Sequence, residues 1–225
     1  MPFRSRPKDF APLAPFGALL AFLAALSWAR PAAATIYTWN AGSGLTNTSV
    51  NWSPNTGTPG ANDDTRFWQT VTYGITVTSP VDTFATLWAG STGHPQFICA
   101  NDPLRVRNQF MVDGGVTASI TSGFARAGWF TVGVGSLTIT GNGTQAAATN
   151  PTASTYIGTQ NGFTSTLNVS GGAGLTAPLI YVPEFTNTTG IINVAGHVTN
   201  GPSSTLHVLF TTGLTGTLHV GNQGV

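Results

Sequence analysis

Through its C-terminal half the chain restarts about every 25 residues. Valine or isoleucine stands at Val132, Ile157, Val182 and Val208, at steps of 25, 25 and 26. A shorter signature keeps pace with it: Leu137-Thr138-Ile139-Thr140-Gly141, Leu167-Asn168-Val169-Ser170-Gly171, Ile192-Asn193-Val194-Ala195-Gly196 and Leu218-His219-Val220-Gly221. Each copy alternates apolar and polar residues and then reaches a glycine, the pattern of a half-buried strand followed by a turn. A fixed period of this length predicts a solenoid, in which each coil buries its apolar face against its neighbours.

Two or three short strands with tight turns in about 25 residues match one coil of a parallel β-helix. The predicted fold is therefore all-β, a right-handed parallel β-helix with about 25 residues per coil; the alternative is an antiparallel β-sandwich, which short alternating strands also permit. In the first good repeat the signature leucine follows the valine by five positions, and in the later three by ten. A surface loop absorbs such a change at little cost. Between residues 81 and 128 the period is blurred, although Ala85–Gly90, Leu104–Arg107 and Ala118–Thr121 read as strands near turns.

Residues 1–34 read as a secretory signal peptide. Arg4, Arg6 and Lys8 begin it, an apolar stretch runs from Ala11 to Ala29, and Ala32-Ala33-Ala34 supplies small residues for cleavage. After its removal four arginines and six acidic residues remain, without a lysine, for a net charge of −2. Such a domain has no electrostatic footprint for nucleic acid, and no membrane span is expected after leader removal. Cys99 is the only cysteine, so no intramolecular disulfide forms and Cys99 reads as a small core residue.

Residues 35–80 form an aromatic-rich N-terminal cap module, and residues 81–225 the β-helix repeats. Trp39, Trp52 and Trp68, with Tyr37 and Phe67, crowd into the cap module. Buried, they seal the first coil; exposed, they stack on sugar rings, which makes the three tryptophans the candidate carbohydrate-binding residues.

Chemistry is otherwise sparse. From Ala127 to Val225 one charged side chain occurs, Glu184, whereas glycoside hydrolysis normally needs two carboxylates flanking one bond. Asp63 and Asp64 are the one candidate metal pair. Turn formation explains them more simply, because neighbouring side chains of an extended segment point apart. His197, His207 and His219 fit no short ligand spacing, and Gly171-Gly172-Ala173-Gly174-Leu175-Thr176 lacks the aspartate of a calcium-binding nonapeptide. No cofactor is expected, and the chain is not read as an enzyme.

The opening Thr38-Trp39 … Val50-Asn51-Trp52 … Pro59-Gly60-Ala61-Asn62-Asp63-Asp64 … Phe67 resembles bacterial exported proteins with autotransporter-type passenger repeats. So does Ile157-Gly158 … Gly162 … Leu167-Asn168-Val169-Ser170-Gly171-Gly172. Related chains often carry a Pro-Glu-Pro sorting anchor. The resemblance implies a right-handed β-helix that is secreted or held at the cell surface and has no catalytic role. Neither a C-terminal barrel pattern nor the anchor is found in these 225 residues. The expectation is a chain apparently truncated at its C-terminus, or one whose open last coil self-associates. The functional expectation is thus a structural or adhesin-like surface protein, with surface glycans or matrix polysaccharide as partners. The alternative is a carbohydrate-binding module using the tryptophan cluster, and a polysaccharide-degrading enzyme ranks last.

Overall fold

Alternation in this sequence becomes architecture by stacking each strand on the next in parallel register. The computed structural model describes residues 33–78, 83–152, 155–182, 187–195, 197–207 and 215–220; for Thr83, Asn101, Leu179 and the last two segments it describes the backbone alone. Residues 1–32, Glu184, Val208, the last five residues and the side chains of His197, His207 and His219 therefore lie outside the description. One compact unit spans Ala34–Val225. It is a parallel β-solenoid of about five turns with about 23 residues per turn. Among the described residues there is no α-helix, only a short 3-10 turn at Ser49–Asn51.

Three strand faces build each coil, and we call them A, B and C. On face A, Tyr37, Thr65, Leu87, Phe110 and Phe130 are successive register partners, followed along the same row by Thr155 and Ile180. Two residues on, Phe67, Ala89, Val112, Val132 and Ile157 form a second inward row. On face B the row is Ile75, Phe97, Ile120, Ile139, Val169, Val194 and Val220. Face C stacks Phe84, Val106, Ala127 and Ala148, beside Leu104, Ala125, Ala146 and Leu175. Nearly all of these side chains are buried.

Every described strand pairing is parallel except one, so the antiparallel sandwich is not adopted. The exception is a two-residue pairing of Thr38 with Ser53 and Trp39 with Trp52. It lies on the free edge of Ile36–Trp39, whose other edge pairs in parallel with Asp64–Phe67. A very short antiparallel strand there limits edge-to-edge pairing. The peptide bond between Ser53 and Pro54 just beyond it is cis.

The repeat signature maps directly onto face B. Leu137, Leu167, Ile192 and Leu218 are consecutive register partners. The five-residue difference in spacing is a loop. Val132 reaches Gly135 through a two-residue turn, whereas Ile157 reaches the partner of Gly135, Ser165, across the longer segment Gly158–Thr164. Phe163 in that segment is half exposed, as expected for residues outside the ladder.

The interior changes character along the chain. From Trp39 to Phe130 it is an aromatic spine. Trp39 meets Trp52 at 4.9 Å, Trp52 meets Phe67 at 5.5 Å, Phe67 meets Phe97 at 5.1 Å, Phe97 meets Phe110 at 5.4 Å and Phe110 meets Phe130 at 5.6 Å. Most of these contacts are edge-to-face, the arrangement the ring quadrupole favours. Where face A carries Phe110 and Phe130, face C carries Ala125 and Ala127, which keeps the coil cross-section filled without overpacking. Beyond Phe130 the core is aliphatic, with Ile157, Val169, Leu175 and Ile180 fully buried.

Backbone bonding continues around the corner between faces A and B. Gly90 N–H donates to Phe67 O, Asp113 N–H to Ala89 O, Gly133 N–H to Val112 O and Gly158 N–H to Val132 O, at 2.8–3.1 Å. At this corner the Gln160 amide also donates to both carboxylate oxygens of Asp113, each at 2.8 Å. Asp113 is thereby a clamp between coils.

Two outcomes follow from this packing. Phe110→Ala removes the ring that joins Phe97 to Phe130 and should cost about 3–5 kcal/mol in chemical denaturation, since the flanking β-ladder resists collapse into the void. Tyr73 supplies a pH test. Burial pushes its phenol well above the ordinary 10.0, and the Gln69 backbone offsets this only in part. The folded chain then keeps a proton that the unfolded chain releases. Tyr73's contribution to stability is complete below pH about 10 and declines as the pH rises beyond it. Tyr73→Phe should flatten this alkaline decline, read as the denaturation midpoint across pH about 9 to 11.

Candidate functional site

The sequence candidates separate by parity. Trp39 and Trp52 are each 1 % exposed, and Tyr37 and Phe67 are buried beside them. Trp52 Nε1–H donates to Thr46 O at 2.8 Å and Trp39 Nε1–H to Gly42 O at 3.1 Å, so the indoles are satisfied internally. Neither presents a face to a sugar. As carbohydrate-binding residues Trp39 and Trp52 are therefore corrected: both are buried core side chains. Trp68 differs, being 39 % exposed. It follows the inward Phe67, and adjacent residues of an extended chain point to opposite sides.

Asp63 and Asp64 take different parts in the chain. Asp63 Oδ1 accepts the Thr35 N–H and Oδ2 accepts the Gly60 N–H, both at 2.9 Å. Its carboxylate closes the loop before Asp64–Phe67 and ties the start of the solenoid to it. Asp64 begins the strand, with its backbone N–H on Thr35 O. Among the described residues no three His, Cys, Asp or Glu side chains gather as a metal site. Asp63 thus serves as a turn former and Asp64 as a strand start. Cys99 is 2 % exposed, within the core of face B.

Around Trp68 the structure assembles a group that linear reading misses. Arg66 and Trp88 are register partners on the outer side of face A. The Arg66 guanidinium lies 4.7 Å from the Trp68 ring and 5.8 Å from that of Trp88, and the two indoles meet edge-to-face at 5.3 Å. Gly90 is packed against the indole nitrogens: a Cβ there would stand 2.8 Å from Trp68 Nε1 and 3.3 Å from Trp88 Nε1. The sequence signal for this corner is the 22-residue step from Arg66 to Trp88, hidden where the period blurs. Farther along the same outer row Tyr156 and Tyr181 stack at 5.5 Å with 11° between planes. Cation–aromatic and aromatic contacts of this kind make a rigid, partly apolar surface. No titratable pair with catalytic geometry accompanies it among the described residues.

The chain was compared with protein-family models, characterised proteins and solved structures, and nothing matches.

Burial predicts different consequences for the three tryptophans. Trp52→Ala should destabilise the chain by about 3–5 kcal/mol. Trp68→Ala should change stability by less than about 1.5 kcal/mol, because it removes an exposed ring and its cation–aromatic contact. Urea titrations of the two variants decide the assignment; equal losses would contradict it.

Proposed function

We propose that this chain is a non-enzymatic, exported β-solenoid acting at the cell surface or outside the cell as a structural or adhesin-like element, in the manner of autotransporter-type passenger repeats. The observation that carries this reading is the in-register stacking of uncharged polar rows on the outside of face B, over an apolar ladder. On face B the Asn168 amide donates to Thr138 Oγ1 at 3.3 Å, the Asn193 amide to Asn168 Oδ1 at 2.8 Å and Ser170 Oγ–H to Thr140 Oγ1 at 3.2 Å. These bonds join neighbouring coils, so the exterior stiffens the rod as the interior does. The carboxylates of Asp63 and Asp113 serve the backbone and neighbouring coils rather than a reacting centre.

A second reading, carbohydrate binding, is favoured by the corner of Arg66, Trp68 and Trp88, of which Trp68 is exposed and the other two half-buried. It retains Trp68 of the original tryptophan set and replaces the two buried members. Surface glycans and matrix polysaccharide are the partners both readings name.

Fractionation of producing cells, with intact-mass measurement of the chain in each fraction, tests the first reading. The expected result is a leader-free species in the surface or culture fraction, and purified chain that releases no new reducing ends from a polysaccharide panel. Retention inside the cell, or turnover of any polysaccharide, would sink it. Retention on immobilised glycan that is lost in the folded Trp68→Ala, Trp88→Ala double variant would favour the second.

A further inference from the structure

A groove of about 440 Å³ opens on face C, away from the Arg66–Trp68–Trp88 corner. Its origin is an insertion in one coil. Along the pairing of His94–Val112 with Val116–Val132, Cys99 faces Gly123 and Leu104 faces Ala125. Four residues, 100–103, therefore stand against Phe124 alone, and the excess bulges outward as a wall carrying Asp102. The turn at Gly143, one coil further on, lines the groove as well. Gly123, at φ +69, is required at its base, because a Cβ there would collide with the Cys99 carbonyl.

Two arginines line this space. Arg105 and Arg126 are register partners on adjacent strands, about 4.8 Å apart at the backbone, and both are exposed. The Arg126 guanidinium carbon lies over the Phe124 ring, 4.8 Å from its centroid, a contact that favours its placement there. The next residues in the same outer row are Ala147 and Thr176, too short to cover it. Like charges directly opposite on paired strands are unfavourable. No described ion pair relieves them. In a mature chain with four arginines and no lysine, half of the cationic side chains thus meet in one concavity.

The geometry points to a binding site for a carboxylated glycan, an oligouronate. Two guanidinium forks borne on adjacent strands can each donate bidentately to a carboxylate. Asp102 also lines the groove, and its carboxylate disfavours a densely charged phosphorylated polyanion more than a sugar acid with one charge per ring. A nucleic acid is disfavoured because, among the described residues, only Arg107 adds a cation on this outer face, and its guanidinium already donates to Asn62 Oδ1 at 3.1 Å. Phe124 is a positioning residue that orients Arg126. The site goes beyond the proposed function and does not rest on the aromatic corner.

The test is calorimetric titration of the full mature chain with tetragalacturonate, with cellotetraose as the neutral control and monomeric galacturonate as the free-anion control. Tetragalacturonate should bind, more weakly as salt is raised, and cellotetraose should not. Arg105→Gln or Arg126→Gln should weaken binding about tenfold or more while circular dichroism and urea midpoint stay as in the parent. Arg126→Lys should recover only part of the loss, because a lysine cannot form the bidentate fork. The double variant Trp68→Ala, Trp88→Ala should bind as the parent does. The proposal is overturned by absence of tetragalacturonate binding, by equal binding of cellotetraose, by monomer binding as tight as the tetramer (an adventitious anion site only), or by unchanged affinity in both arginine variants.

Discussion

Parallel in-register stacking is the constraint on which everything else in this molecule depends. A row such as Ile75–Phe97–Ile120–Ile139–Val169 stays dry only if each coil returns with the same side chains pointing inward. A slip of one residue would turn the whole inward set out to water. Coil length is therefore free only where residues leave the ladder, at corners and bulges. This explains why steps along face A vary, from 22 between Thr65 and Leu87 to 20 between Phe110 and Phe130 and 25 between Thr155 and Ile180, without breaking the rows.

The same constraint explains what sequence could and could not disclose. Where coils are separated by clean turns, as between Leu137, Leu167 and Ile192, the alternation and the glycine recur at a countable interval. From 94 to 132 the chain runs instead as two long strands, His94–Val112 and Val116–Val132, which wrap across all three faces. Register shifts at Phe97/Ile98, Cys99/Leu104 and Val106/Gln109 insert residues that carry no apolar signature. The strands Leu104–Arg107 and Ala118–Thr121 were legible, but the count that links them was not. At the N-terminus the aromatic types were plain and their exposure was not, since exposure depends on parity within the strand. Phe67 next to Trp68 illustrates it: one ring reads as core and the other as surface only once the inward row is fixed.

Register also makes surface groups from residues far apart in sequence. Arg66 meets Trp88 and Arg105 meets Arg126 because one coil separates them. Neither pair forms a motif in linear order, so a search for short ligand or catalytic spacings passes over both. Asp63 and Asp64 show the converse. Adjacent in sequence, they serve different backbone positions, and adjacency carries no chemistry of its own.

Charge placement then divides the rod. Arg66, Arg105, Arg107 and Arg126 all belong to the coils with the aromatic spine, and the coils from Gly135 to Val194 present asparagine, serine and threonine rows instead. Uncharged amides bonded coil to coil add stiffness without repulsion. A guanidinium opposite another adds repulsion instead, as at Arg105 and Arg126, where the one described contact is that of Arg126 with the Phe124 ring. A fold this economical in charge has little structural use for that arrangement, since Ala147 and Thr176 fill the equivalent positions in the next coils. The groove thus belongs to the arginine-bearing coils, and the amide-bearing coils continue the same ladder beyond it.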